Sequence, residues 1–167
     1  LAVLGAAVFS SPGFAAAPAA KVVYAFGQVS AIDGQGGARA LERGATVYPG
    51  DTVQTQAGRT QIRFTDGGFA ALQPNTRYKV EDYTYGGEAD GSERGFFNLL
   101  RGTVRLVTGV IGHANRNNFR LSTKVATIGI RGTAGVIQTC DGDCAGKEDG
   151  TYLSGYGGVW DLQSGDY

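Results

Sequence analysis

Apolar and polar residues alternate with a period of two along much of the chain after residue 20. Val22, Tyr24 and Phe26 alternate with Val23, Ala25 and Gly27, and Ile62 and Phe64 with Gln61, Arg63 and Thr65. Tyr78 and Val80 alternate with Arg77, Lys79 and Glu81, Val104 and Leu106 with Thr103, Arg105 and Val107, and Phe119 and Leu121 with Arg120 and Ser122. Successive side chains of a strand point to opposite faces, so each run predicts a strand with one apolar, half-buried face. Turn sequences separate the runs: Tyr48-Pro49-Gly50-Asp51, Asp66-Gly67-Gly68, Gln73-Pro74-Asn75 and Tyr85-Gly86-Gly87. Asp66-Gly67 between Phe64 and Phe69 predicts a hairpin. No stretch here sustains a 3.6-residue period between caps. Ser92 to Leu100, with Ser92 as a cap, has room for one helical turn, because Gly91, Gly95 and Gly102 oppose more. The expectation is an all-β fold of many short strands, solenoid-like or sandwich-like. No regular repeat of about 20 to 50 residues runs through the chain.

Composition supports that reading. At 167 residues the chain suits one domain, or one domain and a tail, and can bury a real core. Its 28 glycines are more than twice the usual share of roughly 7%. They sit between the apolar-polar runs, without the period of collagen. Lys plus Arg equals Asp plus Glu at 15 each, which argues against a whole-domain binder of nucleic acid or anionic membrane.

The beginning of the chain reads differently. Leu1 to Phe9 is almost wholly apolar, Ser10-Ser11-Pro12-Gly13 breaks any helix, and small residues run from Ala15 to Ala20. These are the apolar and cleavage regions of a secretory signal peptide, without its basic start. Ala17-Pro18-Ala19 supplies small side chains at −3 and −1, so residues 1–19 are expected to be the leader, cut after Ala19. The alternative is the end of an uncleaved membrane anchor. Either delivers the rest outside the cytoplasm, to the periplasm or beyond. With no Met and an opening inside an apolar run, the chain is expected to lack its true start, and to continue past Tyr167. Cys140 and Cys144 enclose Asp-Gly-Asp, and in an exported chain such a pair predicts a loop-stapling disulfide. The rival, a two-cysteine zinc site, lacks a nearby histidine or second cysteine pair.

Four blocks carry a family resemblance. They are Gly27-Gln28-Val29 with Arg43-Gly44; Val47 to Thr55, running on to Gln61 to Gly67; Leu99-Leu100-Arg101-Gly102 with Val107 to Gly112; and Phe119 to Thr123 with Ala126 to Thr133. In this order and spacing, over about residues 24 to 137, they resemble the FecR domain family. The resemblance implies an all-β, solenoid-like periplasmic domain without a catalytic residue set. The founding members are inner-membrane regulators of Gram-negative bacteria. They take a signal from an outer-membrane transporter and control a sigma factor. The expected organisation is a FecR-type β domain over residues 20–137, then a Gly-rich disulfide loop and strand continuation over 138–167.

The residues that could carry chemistry are few. Arg131, between Gly129 and Gly132, has five donors that suit an anionic ligand or strand-end carbonyls. Tyr156 and Trp160 offer rings to a glycan, or belong to the core. His113, the only histidine, is expected to be a solvated loop residue, and no Gly-x-Ser-x-Gly elbow accompanies it. Glu81-Asp82 and Glu148-Asp149 are neighbours that a strand would point to opposite faces, which does not suit a glycosidase pair. Asp141, Asp143, Glu148 and Asp149 crowd one loop and are weak calcium candidates, without EF-hand spacing. No cofactor motif is present. The expectation is a non-catalytic binding or sensing domain whose partner is an envelope protein or a glycan, not nucleic acid, and a membrane only if the N-terminal segment is an uncleaved anchor. Two alternatives stand beside it: the periplasmic part of a sigma-factor regulator, and a self-assembling envelope protein whose edge strands pair between copies.

Overall fold

The computed structural model describes residues 16–114, 116–132 and 134–164, with the backbone only at residue 116. The expected leader lies outside the described residues up to residue 15. The regular structure of the rest is almost entirely strand, in two sheets that share one long strand.

Sheet A holds β1 (Ala20–Phe26), β4 (Thr46–Val47), β6 (Arg59–Phe64), β7 (Phe69–Leu72), β12 (Ala134–Cys140) and β13 (Gly150–Gly155). Sheet B holds β2 (Val29–Ile32), β3 (Ala38–Ala40), β5 (Thr52–Thr55), β8 (Arg77–Thr84), β10 (Phe119–Ser122), β11 (Ala126–Arg131) and β14 (Val159–Ser164). The shared strand is β9 (Arg94–Val107). Its first half pairs with β8 and β10, and its second half with β7 and β12. Sheet A therefore runs β4-β1-β6-β7-β9-β12-β13 and sheet B runs β3-β2-β5-β8-β9-β10-β11-β14. The chain passes back and forth between the sheets as it advances along the stack. The result is a sandwich wound like a solenoid, with β9–β10 the only parallel pair among the described residues.

Gly102 is where β9 leaves one sheet for the other. Its φ is +86°, and a Cβ there would stand 2.5 Å from the Thr76 hydroxyl. That hydroxyl donates to Thr103 O and accepts from Thr103 N, both at 3.1 Å, so it clamps the crossing. Only glycine combines that φ with that approach.

The core lies between the sheets. Phe64 of sheet A stacks on Tyr83 of sheet B at 5.3 Å between centroids and meets Phe97 at 5.1 Å. Phe97 also touches Tyr78 and Phe119. The hydroxyl of wholly buried Tyr78 has no hydrogen-bond partner among the described residues, and burial pushes its pKa well above the ordinary value. Tyr83 is raised too, again mainly by burial, though its hydroxyl accepts from the Thr65 hydroxyl and from the Asp66 N–H, which both oppose the rise.

Most expected strands are present, and Asp66-Gly67 does turn a hairpin between β6 and β7. Two local expectations need correction. Ser92 to Leu100 contains no helical turn; Arg94 begins β9, and alternate residues from Gly95 to Leu99 are buried. The alternation Gly95, Phe97, Leu99 toward the core outweighs any capping by Ser92. In β1, Val22, Tyr24 and Phe26 do not share a buried face. A bulge at Val23 shifts the register against β6, so Val22 faces the core while Tyr24 and Phe26 face outward. An extra residue in one strand of a pair reverses which face the following side chains take.

Ala19, just ahead of the expected cut, is built into the sandwich. It is wholly buried, its N–H donates to Val47 O at 2.9 Å, and its carbonyl accepts from Thr65 N at 3.0 Å.

Candidate functional site

The family blocks prove to be the joints of the fold. In the Tyr48-to-Asp51 turn, the buried Asp51 carboxylate accepts the Tyr48 N–H at 2.8 Å and pairs with Arg39 of β3. Arg39 also reaches Thr46 O at 3.1 Å and lies over the Tyr48 ring. Its pKa is raised, chiefly by the bond to Asp51. This closes the N-terminal end of the stack. Asp66 does similar work in the middle. It is buried; one oxygen accepts Gly68 N at 3.0 Å and the other accepts Ile111 N at 3.2 Å, tying the β6–β7 hairpin to α1 (Val110–Ala114). Sequence reasoning assigned Asp66 only to a turn. Its role as a tie across 45 residues is set by the sheet pairing that brings α1 to it.

The sequence-derived site residues are not gathered in one place. Trp160 of β14 pairs with Ile130 and faces inward, where its ring lies over Gly135 and Gly155 of sheet A. A Cβ at either glycine would fall 2.5 Å or less from the ring, so Trp160 closes the C-terminal end of the sandwich. Arg131 is on the opposite face of its strand pair, with its Nη2 3.7 Å from an Asp161 oxygen and its Nε buried without a partner among the described residues. Its neighbour is thus a β14 carboxylate. Tyr156, 65% exposed, lies under the Arg105 guanidinium on the outer side of sheet A.

The cysteines are joined. The Cys140–Cys144 disulfide staples the loop after β12. In that loop Asp141 meets Lys124 at 3.1 Å and Asp143 meets Arg101 at 2.7 Å, while Asp149 accepts Gly142 N at 2.6 Å. The Asp141 N–H and Arg101 lower the Asp143 pKa. Two of the four calcium candidates are therefore occupied by cations of the chain itself. Among the described residues no three Asp, Glu, His or Cys side chains converge as a metal site would require. His113 sits at the end of α1 with Nδ1 2.8 Å from Gly109 O and its ring against Gly132. The turn of helix that carries it was not anticipated.

Comparison with known proteins bears on these joints. The family model described as FecR protein matches residues 51–146, from the buried Asp51 through the disulfide loop. The chain belongs to the FecR family. No curated protein and no solved structure matches it. FecR domains are regulatory rather than catalytic and typically periplasmic, and among the described residues no helix is long and apolar enough to cross a membrane. The matched FecR segment begins at β5, yet β1 to β4 pair continuously with it.

Two surfaces of this FecR domain differ in charge. The strands of sheet B carry Arg39, Lys79, Arg94, Arg101 and Arg131 in ion pairs with Asp51, Glu81, Asp82, Asp143 and Asp161. The strands of sheet A carry Lys21, Arg59, Arg63 and Arg105 and no Asp or Glu.

Proposed function

We propose that this FecR chain is an exported, non-catalytic domain that recognises a component of the cell envelope, a protein or a glycan. The observation that supports the reading is the family match over a continuous sandwich whose buried polar groups serve the fold. Asp51 and Asp66 are bound to backbone N–H groups and to Arg39, which leaves recognition to the exposed sheet faces and ends. Export is supported by the leader-like residues ahead of β1 and by the disulfide, a bond that persists in oxidising compartments.

Family membership also favours a second reading. Here the domain is the periplasmic part of a sigma-factor regulator that takes its signal from an outer-membrane transporter. A pull-down from envelope extract, with the chain beginning at Ala16 so that Ala19 keeps its place, separates the two. Enrichment of an outer-membrane transporter supports the regulator. Enrichment of another envelope protein or a glycan supports the broader reading. Recovery of nothing above a denatured control refutes both.

A further inference from the structure

We infer that the outer face of sheet A is a binding surface for an anionic glycan, a sugar chain carrying carboxylate or sulfate groups. The inference rests on the reading of the chain as a binding domain and gives that reading a face and a ligand chemistry. Lys21, Arg59, Arg63 and Arg105 are all exposed, and none makes an ion pair among the described residues. Lys21 and Arg63 stand directly opposite each other in the β1–β6 register. Like charges so placed repel. The strands on that face offer no carboxylate to relieve them, for the row continues through Phe69 to Val107. The chain has as many acids as bases, and in sheet B five of the strand cations stand against carboxylates, with Arg77 and Arg120 outside those pairs. On sheet A the positive charge is left for an anion from outside.

The rings on the same face narrow the chemistry. Beyond the Val23 bulge, Tyr24 is 44% and Phe26 64% exposed. Phe26 lies opposite Arg59, and Tyr24 begins a row that runs through Gln61 and Ala71 to Arg105. Exposed rings beside guanidinium groups provide a flat apolar surface bordered by donors. A sugar ring can stack on the first while its acid group meets the second. Arg59 and Arg63 are four residues apart on β6, about 13 Å. The face is an open sheet, which accepts an extended chain.

The test uses the full chain against polygalacturonate, heparin, neutral dextran, polyglutamate and an oligo-dT single strand, with affinity measured at low and high salt. Binding to polygalacturonate or heparin is expected to be at least tenfold tighter than to dextran and to weaken with salt; the two probes separate carboxylate from sulfate recognition. The R59Q/R63Q/R105Q variant should lose at least tenfold in glycan affinity, whereas R77Q/R120Q, on sheet B, should lose none. Y24S/F26S should weaken glycan binding severalfold and leave polyglutamate unchanged. Melting curves show that each variant is folded, and K21Q/R63Q replaces the triple variant should that one unfold. The inference is overturned by failure to bind either acidic glycan, by unchanged binding in the triple variant, or by polyglutamate or oligo-dT binding as tightly. An envelope protein captured equally by wild type and triple variant, with no glycan bound, overturns this inference alone. Capture of neither protein nor glycan overturns the binding reading as well.

Discussion

Sheet B places five of its strand cations against carboxylates, one of them fully buried, while sheet A exposes four cations in strands that contain no acid. Both sheets belong to one chain of zero net charge. Overall balance therefore says little about any one surface, because the acids and bases are sorted by strand. In sheet B the charges act on the fold, above all at Arg39–Asp51. In sheet A they are a cost to the fold, seen most clearly where Lys21 faces Arg63.

Unfolding measurements test this contrast between the sheets. The largest effect is expected at the buried end of sheet B. Asp51→Asn removes the charge that holds Arg39 and weakens the bond to Tyr48 N–H, and should cost about 3 kcal/mol in urea unfolding. A loss no larger than that of an exposed pair such as Lys79–Glu81 would mean that sheet B does not depend on its ion pairs. Next is the first strand of sheet A, where a chain beginning at Ala20 loses both backbone bonds of Ala19. It should be about 1–2 kcal/mol less stable than one beginning at Ala16. Equal melting temperatures would show that Ala19 is dispensable. Between the sheets, Tyr78→Phe removes a buried hydroxyl without a partner and should stabilise by about 1 kcal/mol; destabilisation would reveal a bond the hydroxyl makes in solution. The smallest effect tests sheet A directly. Arg63→Gln relieves repulsion with Lys21 and should stabilise by about 0.5 kcal/mol at low salt, with the gain gone by about 1 M. A loss at low salt would mean that Arg63 is held by a favourable contact.

Much of the fold was legible in the pattern of residues. Runs such as Ile62-Phe64 and Tyr78-Val80 need only a pleat to present one face to the core, so their periodicity survives folding. Tyr24 and Phe26 were misread because a bulge depends on the neighbouring strand's register as well as on the strand's own sequence. Trp160 and Tyr156 were legible as notable residues but not as parts of a site. Which of them closes the sandwich and which stays in solvent depends on β13 joining sheet A and β14 joining sheet B.

The all-β class, the FecR resemblance, the hairpin at Asp66-Gly67 and the pairing of Cys140 with Cys144 can all be read along the chain. Each follows from local spacing or from residues close together in the chain. Folding adds that β9 serves both sheets, that Asp66 anchors Ile111, and that Lys21, Arg59, Arg63 and Arg105 share one face with no acid among them. Those facts depend on pairings between strands far apart in sequence. Period-two alternation tells which residues of a strand share a face, but not which strands will lie beside it.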